Sequence, residues 1–326
     1  MATPDTPLTL AEIRAAAERI GPLVRRTEVL TSRRLDEWLG CRAYLKCENF
    51  QRTGAFKFRG ACNAVLSLSA AEAARGVVTH SSGNHGAALA AAAHVRGIPA
   101  YVVIPENAPP IKRSAVAGYG AKVYDCRPTL ADREATAARV IAETGATLVH
   151  PYDDLRIVAG QATASLELHE QIPRLDAVVC PVGGGGLAAG TALTTHYVAP
   201  ECRVLLGEPA TADDAYRSLA AGRIVPSENP VTIADGLKTS LGQCTFPVLQ
   251  RHVERIITVT EAEIVEALKF VWTRLKVVIE PSSAVAVAAV RRQAATFATL
   301  RVGIILSGGN VDLDQLSDTL HRGEEN

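Results

Sequence analysis

Short apolar runs alternate along most of the chain with Ala-rich segments of helical length. This alternation is typical of parallel sheets with helices on both faces, so it predicts an α/β protein with three α/β/α layers. Thr9 and Glu12 have the spacing of a capping box, which predicts a first helix over residues 10–20. The strand-like runs are residues 43–47, 77–80, 100–104, 122–124, 148–150, 177–180, 203–206, 256–259 and 302–306. The helical segments are residues 58–68, 86–96, 111–117, 130–143, 157–171, 187–196, 261–274 and 283–293.

Four of the predicted strand-to-helix turns have an unusual composition. They are residues 80–86, 181–186, 206–209 and 306–310, and they concentrate Gly, Ser and Asn directly after apolar strands. Parallel sheets bind their ligands at the carboxyl ends of the strands. We therefore expect a binding site at these turns.

Composition excludes several classes of protein. The 326 residues carry 34 Lys and Arg against 34 Asp and Glu, and aromatic residues make up only 5%. This balance gives no basis for a nucleic-acid partner, and the longest apolar stretches, such as residues 87–93, are too short to cross a membrane. The seven cysteines are scattered without a Cys-x-x-Cys pair, and no secretory signal opens the chain, so we expect reduced thiols in a cytoplasmic protein.

Two features point to one cofactor. Lys57 lies between Phe56 and Phe58, and a lysine held in an apolar pocket can lose its proton and become a nucleophile. The run Gly183–Gly186 lies between a strand-like run and a helical segment, where backbone N–H groups can hold a phosphate dianion. A cofactor with an aldehyde at one end and a phosphate at the other needs both, and pyridoxal phosphate is such a cofactor. A surface lysine and a flexible turn are the simpler explanations, which these two features alone leave open.

Three further groups have a structural and a functional interpretation each. Residues 81–86 form a helix cap, a carboxylate cradle, or both. Ser307 is either a turn residue or a neutral hydroxyl facing a pyridine nitrogen. A neutral hydroxyl would not keep the ring nitrogen protonated, which favours elimination with less delocalisation of the carbanion. Glu208, Asp213 and Asp214 either balance a helix dipole or form a hard-cation site.

Taken together, the motifs resemble the serine/threonine dehydratase and serine racemase family of pyridoxal-phosphate enzymes, which has the tryptophan-synthase-β-like fold (fold type II). The resemblance runs from Leu10 to Val311 and includes residues 46–51, 53–60, 81–86, 183–186, 232–236, 280–283 and 307–310. It implies a two-lobed fold with mostly parallel, twisted sheets. Residues 1–75 and 153–326 would form a large cofactor-binding domain, and residues 76–152 a small mobile domain. The resemblance also implies a homodimer.

The same resemblance implies a role for each matching residue. Lys57 would form the Schiff base with the cofactor and act as a base, and Ser82 would be the acid/base on the opposite face that serine racemases use. The cofactor-binding residues would be Phe56, Lys57, Asn84, Gly183, Gly184, Gly185, Gly186, Gly236, Glu280 and Ser307. The substrate-binding residues would be Ser81, Ser82, Asn84, His85, Arg133 and Asp235. A divalent cation (Mg²⁺, or Ca²⁺ or Mn²⁺) would be held by Glu208, the carbonyl of Ala212 and Asp214.

The expected reaction is β-elimination from a small hydroxyamino acid, which gives a 2-oxo acid and ammonia. Serine would give pyruvate, and threonine would give 2-oxobutanoate. Racemisation of serine and elimination from threo-3-hydroxyaspartate are alternatives, with Arg133 as the candidate for a second substrate carboxylate. Many members have Ser where this chain has Ala55, and no regulatory extension follows the core, so we expect a catabolic or racemase-type member.

Overall fold

The computed structural model describes residues 7–81, 83–108, 110–314, 317, 320 and 321, and within them two sheets. The strands are β1 (Val29–Leu30), β2 (Arg42–Cys47), β3 (Val77–Thr79), β4 (Ala100–Pro105), β5 (Lys122–Cys126), β6 (Thr147–Leu148), β7 (Ala177–Pro181), β8 (Arg203–Pro209), β9 (Arg255–Val259) and β10 (Arg301–Leu306). The larger sheet has the order β1-β2-β10-β7-β8-β9, and the smaller has the order β5-β4-β3-β6. Every pair is parallel except β1 with β2.

Helices separate the strands as the alternation predicts. They are α1 (Leu10–Ile20), α2 (Arg33–Leu39), α3 (Lys57–Leu66), α4 (Ala70–Arg75), α5 (Asn84–Arg96), α6 (Pro110–Ala117), α7 (Leu130–Thr144), α8 (Leu155–Gln171), α9 (Gly186–Val198), α10 (Asp214–Ala221), α11 (Phe246–His252), α12 (Glu261–Phe270), α13 (Pro281–Arg292) and α14 (Ala294–Phe297). The capping box of Thr9 and Glu12 is present, with both reciprocal hydrogen bonds, and α1 has the predicted bounds. None of the described helices combines the length and the apolar character that a membrane span requires.

The larger sheet lies between two apolar layers. One face packs against α2, α12 and α13, and the other against α1, α8 and α9. A third apolar cluster joins α3 to α5, which follows a strand of the smaller sheet. The three-layer α/β/α prediction is therefore confirmed.

One predicted turn is part of a strand. The sequence suggests a turn at residues 206–209, but β8 continues to Pro209, because Gly207 and Glu208 pair with Ile257 and Thr258 of β9. A Cβ on Gly207 would lie 2.9 Å from the carbonyl oxygen of Val285 in α13, so this glycine permits close helix packing. Glu208 consequently projects from a strand end, followed by a short 3₁₀ turn over Ala210–Ala212.

Candidate active site

Lys57 opens helix α3, and its amine lies in a protected position. Nζ donates a hydrogen bond to the carbonyl oxygen of Pro151 at 2.8 Å and lies 5.1 Å from the ring centroid of Phe56. Burial lowers the pKa of Lys57 to about 8, although the carboxylate of Glu280 acts to raise it. A substantial fraction of this amine is therefore uncharged at mildly alkaline pH.

The turn before Lys57 is held against the turn that contains Ser307. The amide of Phe56 donates to the carbonyl oxygen of Ser307 at 3.0 Å, and Ala55 forms an isolated antiparallel bridge with Gly308. Gly54 has a φ of +74°, and a Cβ there would lie 2.3 Å from Oδ1 of Asn310. These contacts bring two motifs that are far apart in the sequence into one site.

A side-chain network continues from this pair of turns to helix α5. Asn84 Nδ2 donates to both carboxylate oxygens of Glu280, at 3.0 and 3.1 Å. Asn310 Nδ2 lies within hydrogen-bond distance of Asn84 Oδ1 (2.9 Å) and of the carbonyl oxygen of Thr53 (2.7 Å). The network thus fixes Glu280 next to the Lys57 amine.

The glycine loop leads into helix α9, where the first backbone N–H groups of a helix lack intrahelical partners. Its conformation and surroundings require glycine, since Gly185 has a φ of +90° and a Cβ on Gly184 would lie 2.3–2.4 Å from ring carbons of Tyr152. On the other side, a Cβ on Gly183 would approach the carbonyl oxygen of Gly236 to 3.2 Å. The Thr245 hydroxyl donates to the Gly184 carbonyl at 2.9 Å. The loop is a narrow backbone cradle that could hold a phosphate.

Two histidines near Lys57 are neutral. His85 Nε2 donates to the carbonyl oxygen of Val149 at 3.2 Å, and its buried Nδ1 has no partner among the described groups. Burial and the charge of Lys57 hold the pKa of His85 well below its usual value. His150 Nδ1 accepts the amide of Asp153 at 2.9 Å, and burial lowers the pKa of His150 to about 4.

The remaining predicted residues lie on turns or at the start of a helix. Ser81 precedes α5, Arg133 lies near the start of α7, and Asp235 begins a short 3₁₀ turn in which the Gly236 amide donates to the Ser282 hydroxyl at 3.0 Å. Ser82 lies outside the described residues.

Two buried carboxylates mark the predicted cation site. Glu208 accepts the amides of Ala215 and Tyr216, each at 2.8 Å, while neither oxygen of Asp214 has a hydrogen-bond partner among the described groups. Burial raises the pKa of Glu208 to about 8 and that of Asp214 to about 6. Ala212 is buried in the intervening turn. Within the described part of the chain, no group of three or more His, Cys, Asp or Glu side chains could hold a metal, so a cation here would need backbone carbonyls and water as further ligands. Oxygen donors of this kind fit a hard cation such as Mg²⁺ or Ca²⁺.

Comparison with known proteins decides the family. A family model described as pyridoxal-phosphate dependent enzyme matches residues 20–308. The chain belongs to this family. It is 51% identical over 308 residues to a β-hydroxyaspartate dehydratase of Paracoccus denitrificans (strain Pd 1222), and the match covers 94% of this chain and 98% of the relative.

Solved structures of the family agree with the fold. A serine racemase of Dictyostelium discoideum superimposes with a TM-score of 0.91 at 49% identity, covering 94% of this chain and 99% of that one. A threonine deaminase from T.th. superimposes with a TM-score of 0.89 at 44% identity, covering 94% of this chain and 99% of that one. The expected family and the expected fold type are confirmed, and the relatives include both dehydratases and racemases.

Four residues of this site have no role in the sequence-based prediction. Tyr152, Thr245 and Asn310 contact the glycine loop or the Lys57 region, and His150 directly precedes Pro151, whose carbonyl accepts from Lys57. Asn310 lies within a motif that the sequence singled out, and His150 ends a predicted strand. Tyr152 and Thr245 carry no local signal, because their importance arises only from their contact with Gly184.

Proposed function

We propose that this chain catalyses pyridoxal-phosphate-dependent β-elimination from 3-hydroxyamino acids, releasing a 2-oxo acid and ammonia. L-threonine would give 2-oxobutanoate, and L-serine would give pyruvate. The observation that carries the proposal is the Lys57 amine, whose pKa is lowered to about 8 in the same site as the glycine loop and Ser307. When bound, the cofactor supplies an electron sink for negative charge at Cα of the substrate.

Each residue near the amine has a proposed task. The uncharged Lys57 amine takes the proton from Cα, and Phe56 packs beside the cofactor ring. Asn84 bonds the ring hydroxyl, and its two hydrogen bonds to Glu280 fix its orientation. Ser307 offers a neutral hydroxyl to the ring nitrogen, which favours elimination. The amides of Gly183–Gly186 hold the phosphate, with Gly236 closing one side.

The start of helix α5 would bind the substrate carboxylate, together with Ser81. Gly83 caps this helix without a side-chain hydrogen bond, which leaves backbone donors at the positive end of the helix dipole. The His85 imidazole donates from Nε2 to Val149 and is neutral, so its Nδ1 is an acceptor that cannot bind a carboxylate. We therefore assign the role of His85 to its backbone amide.

Racemisation of serine is the second candidate, and the 49% identity to a serine racemase favours it. It would need Ser82 to deliver a proton on the face opposite Lys57. Asp235 would contribute to substrate binding in either reaction.

We also propose a divalent cation, most simply Mg²⁺, at Glu208, Asp214 and the Ala212 carbonyl. It would offset the cost of keeping two carboxylates buried, since the pKa of each is raised in the folded protein. We also propose a cytoplasmic location, which the free cysteines fit. The family resemblance supports a homodimer. It also supports a small mobile domain over residues 76–152.

The deciding experiment is an assay of cofactor-loaded protein on L-serine, D-serine, L-threonine and threo-3-hydroxyaspartate. It follows 2-oxo acid and enantiomer composition, with Mg²⁺ and with chelator. Oxo acid without inversion identifies a dehydratase, and D-serine formed from L-serine makes racemisation primary. Faster turnover with Mg²⁺ than with chelator supports the cation site.

The variant Lys57→Ala tests the central assignment. We expect it to lose the visible absorbance of the bound cofactor and to lower elimination by roughly 10³-fold or more, because the base is removed. The control is Lys122→Ala, which removes an exposed lysine of β5. If the absorbance band persists unchanged in Lys57→Ala, the assignment of Lys57 is wrong.

A further inference from the structure

Two histidines meet at the ends of the two helices that also border the glycine loop. His196 lies in the last turn of α9, and His252 is the last residue of α11. Their ring centroids are 4.5 Å apart, and the ring planes are tilted by 42°. His196 is exposed and His252 is half-buried, so the pair borders solvent. Neither residue belongs to a motif that the sequence singles out.

One metal ion can reach both imidazoles. At a metal–nitrogen distance of about 2.0–2.1 Å, two imidazoles that share an ion have ring centres about 4–6 Å apart. The observed separation of 4.5 Å lies in this range. Neutral imidazole is a good ligand for Zn²⁺, Ni²⁺ and Cu²⁺. Burial, followed by the charges of His196 and Arg251, lowers the pKa of His252, which favours its neutral form.

The surroundings of the pair suit a hydrated cation. A cavity of about 330 Å³ lies beside the two rings and has room for several water ligands. Glu201 and Glu254 line this cavity and could accept hydrogen bonds from such waters. Arg203 and Arg251 line it as well, with Arg203 Nη1 3.6 Å from Glu254 Oε1, so the two charge types balance. Among the described residues, no third His, Cys, Asp or Glu completes a metal-binding group with the pair, so water would fill the other coordination positions.

The two histidines are held near each other by the packing of their helices. Residues of α9 and α11, among them Leu193 and Leu249, share one apolar cluster. The ring of Tyr197 lies 5.3 Å from that of His196, and its hydroxyl donates to the carbonyl oxygen of Leu8 at 2.8 Å. Both histidines also lie in the last turn of a helix, where the terminal carbonyl groups favour positive charge. A site arranged in this way before the ion arrives loses little entropy on binding it.

The opposite ends of the same two helices lie at the glycine loop. Gly186 opens α9, and Thr245, the residue before α11, donates from its hydroxyl to the carbonyl oxygen of Gly184 at 2.9 Å. A Cβ on Gly185 would lie 2.7 Å from that hydroxyl. At about 1.5 Å per residue, His196 lies about 15 Å along the helix from the start of α9. An ion bound by both histidines would therefore join the far ends of the two helices that contact the loop.

We propose that His196 and His252 bind one divalent transition-metal ion, such as Zn²⁺, Ni²⁺ or Cu²⁺, and that this ion clamps α9 to α11 and tightens cofactor binding at the glycine loop. The site differs in chemistry from the carboxylates of Glu208 and Asp214, because imidazole nitrogen binds softer ions than carboxylate oxygen does. The metal site is independent of the proposed reaction, whereas its coupling to the cofactor rests on the proposed role of the loop in holding the phosphate. By linkage, the cofactor would strengthen metal binding by the same factor.

Calorimetric titration with Ni²⁺ tests the metal site. The cofactor-loaded protein, without a histidine tag, is titrated in excess Mg²⁺, which occupies sites made of oxygen ligands and leaves the imidazoles to Ni²⁺. We expect one Ni²⁺ per chain. The affinity should fall at least about tenfold in His196→Asn and in His252→Asn, because each variant leaves one imidazole and loses the advantage of two linked ligands.

The matched control is His94→Asn. His94 is an exposed histidine in the last turn of α5, so its loss should leave the Ni²⁺ affinity unchanged. If His196→Asn and His252→Asn bind Ni²⁺ as tightly as the wild type, the metal site does not exist. Equal weakening in His94→Asn would also overturn it, because the binding would then be a general property of surface histidines.

Cofactor affinity tests the clamp. Cofactor-free protein is titrated with pyridoxal phosphate in excess Mg²⁺, with and without saturating Ni²⁺, and binding is followed by fluorescence. We expect Ni²⁺ to tighten binding about fivefold or more in the wild type, relative to its effect in a protein that combines His196→Asn with His252→Asn. This double variant corrects for direct interaction of Ni²⁺ with the free cofactor. An equal effect of Ni²⁺ on the two proteins overturns the clamp. Neither titration involves turnover, so absence of elimination on every hydroxyamino acid would refute the proposed function and leave both results standing.

Discussion

At the scale of single residues, the Lys57 amine is governed by two opposing influences. Burial favours the uncharged form, and the nearby Glu280 carboxylate favours the charged form. The net result is a pKa of about 8, so the amine is close to half-protonated just above neutral pH. Such a group can attack an aldehyde and can also accept a proton.

Removing the carboxylate of Glu280 should therefore shift the pH at which Lys57 becomes reactive. Capture of pyridoxal phosphate by the cofactor-free protein requires the neutral amine, so its rate should rise with pH and level off above the Lys57 pKa. In Glu280→Gln the stabilising negative charge is absent, the Lys57 pKa falls further, and the midpoint moves to lower pH. Stopped-flow absorbance, recorded from mildly acidic to alkaline pH, measures this midpoint.

The control for this prediction is Glu170→Gln. Glu170 is an exposed residue that pairs with Arg26, far in sequence from the site, and its loss should leave the midpoint unchanged. A midpoint in Glu280→Gln that equals or exceeds the wild-type value would contradict the electrostatic account of Lys57.

At the scale of elements, the sequence predicts the positions of the longer strands well. Buried parallel strands such as β4, β7 and β10 are uninterrupted apolar runs bounded by turn residues, which makes them visible without a structure. The two-residue β1 is too short to leave a pattern, and it forms because Val29 pairs with Lys46 of β2. The short helices α4 and α10 are likewise too brief for a clear periodicity.

The site is predictable only in part, for a physical reason. Lys57, the glycine loop and Ser307 lie in motifs whose local composition is unusual. Contacts that depend on how elements pack carry no such signal. One example is Arg59, fully buried and paired through Nε with Glu48 at 2.7 Å and through a terminal nitrogen with Glu167 at 2.7 Å. The pair with Glu167 connects the helix of Lys57 to α8, and no residue spacing in the sequence predicts it.

The contact between Tyr152 and the glycine loop provides a test at this scale. Gly184→Ala places a methyl group within 2.3–2.4 Å of the Tyr152 ring carbons, so the loop or the tyrosine must move. Because the clash is with a side chain, we expect cofactor affinity, measured by fluorescence titration, to fall about tenfold or more in the wild-type background and by less in a Tyr152→Ala background. Equal costs in the two backgrounds would show that Tyr152 does not form the wall of the loop.

At the scale of the whole molecule, an apolar cluster joins helix α3 to helix α5, which follows a strand of the smaller sheet. Phe58 and Val65 of α3 share a cluster with Leu89 and Ala92 of α5, and Val149 completes it. A large apolar interface resists relative movement of the elements that form it. Any closure of residues 76–152 over a ligand should therefore leave α5 in place and involve the elements further from α3.

Hydrogen exchange can distinguish the elements that move on ligand binding from helix α5, which should stay in place. The cofactor-loaded protein is compared with and without saturating L-alanine, which can occupy the substrate position but has no β-hydroxyl to eliminate. We expect slower exchange on binding in residues 79–81, 83–86, 127–134 and 149–154, which surround the carboxyl edge of the smaller sheet. Residues 88–93 of α5, already buried against α3, should not change. Equal slowing over all of residues 76–152 would instead indicate that the small domain closes as one rigid unit, with α5 moving against α3.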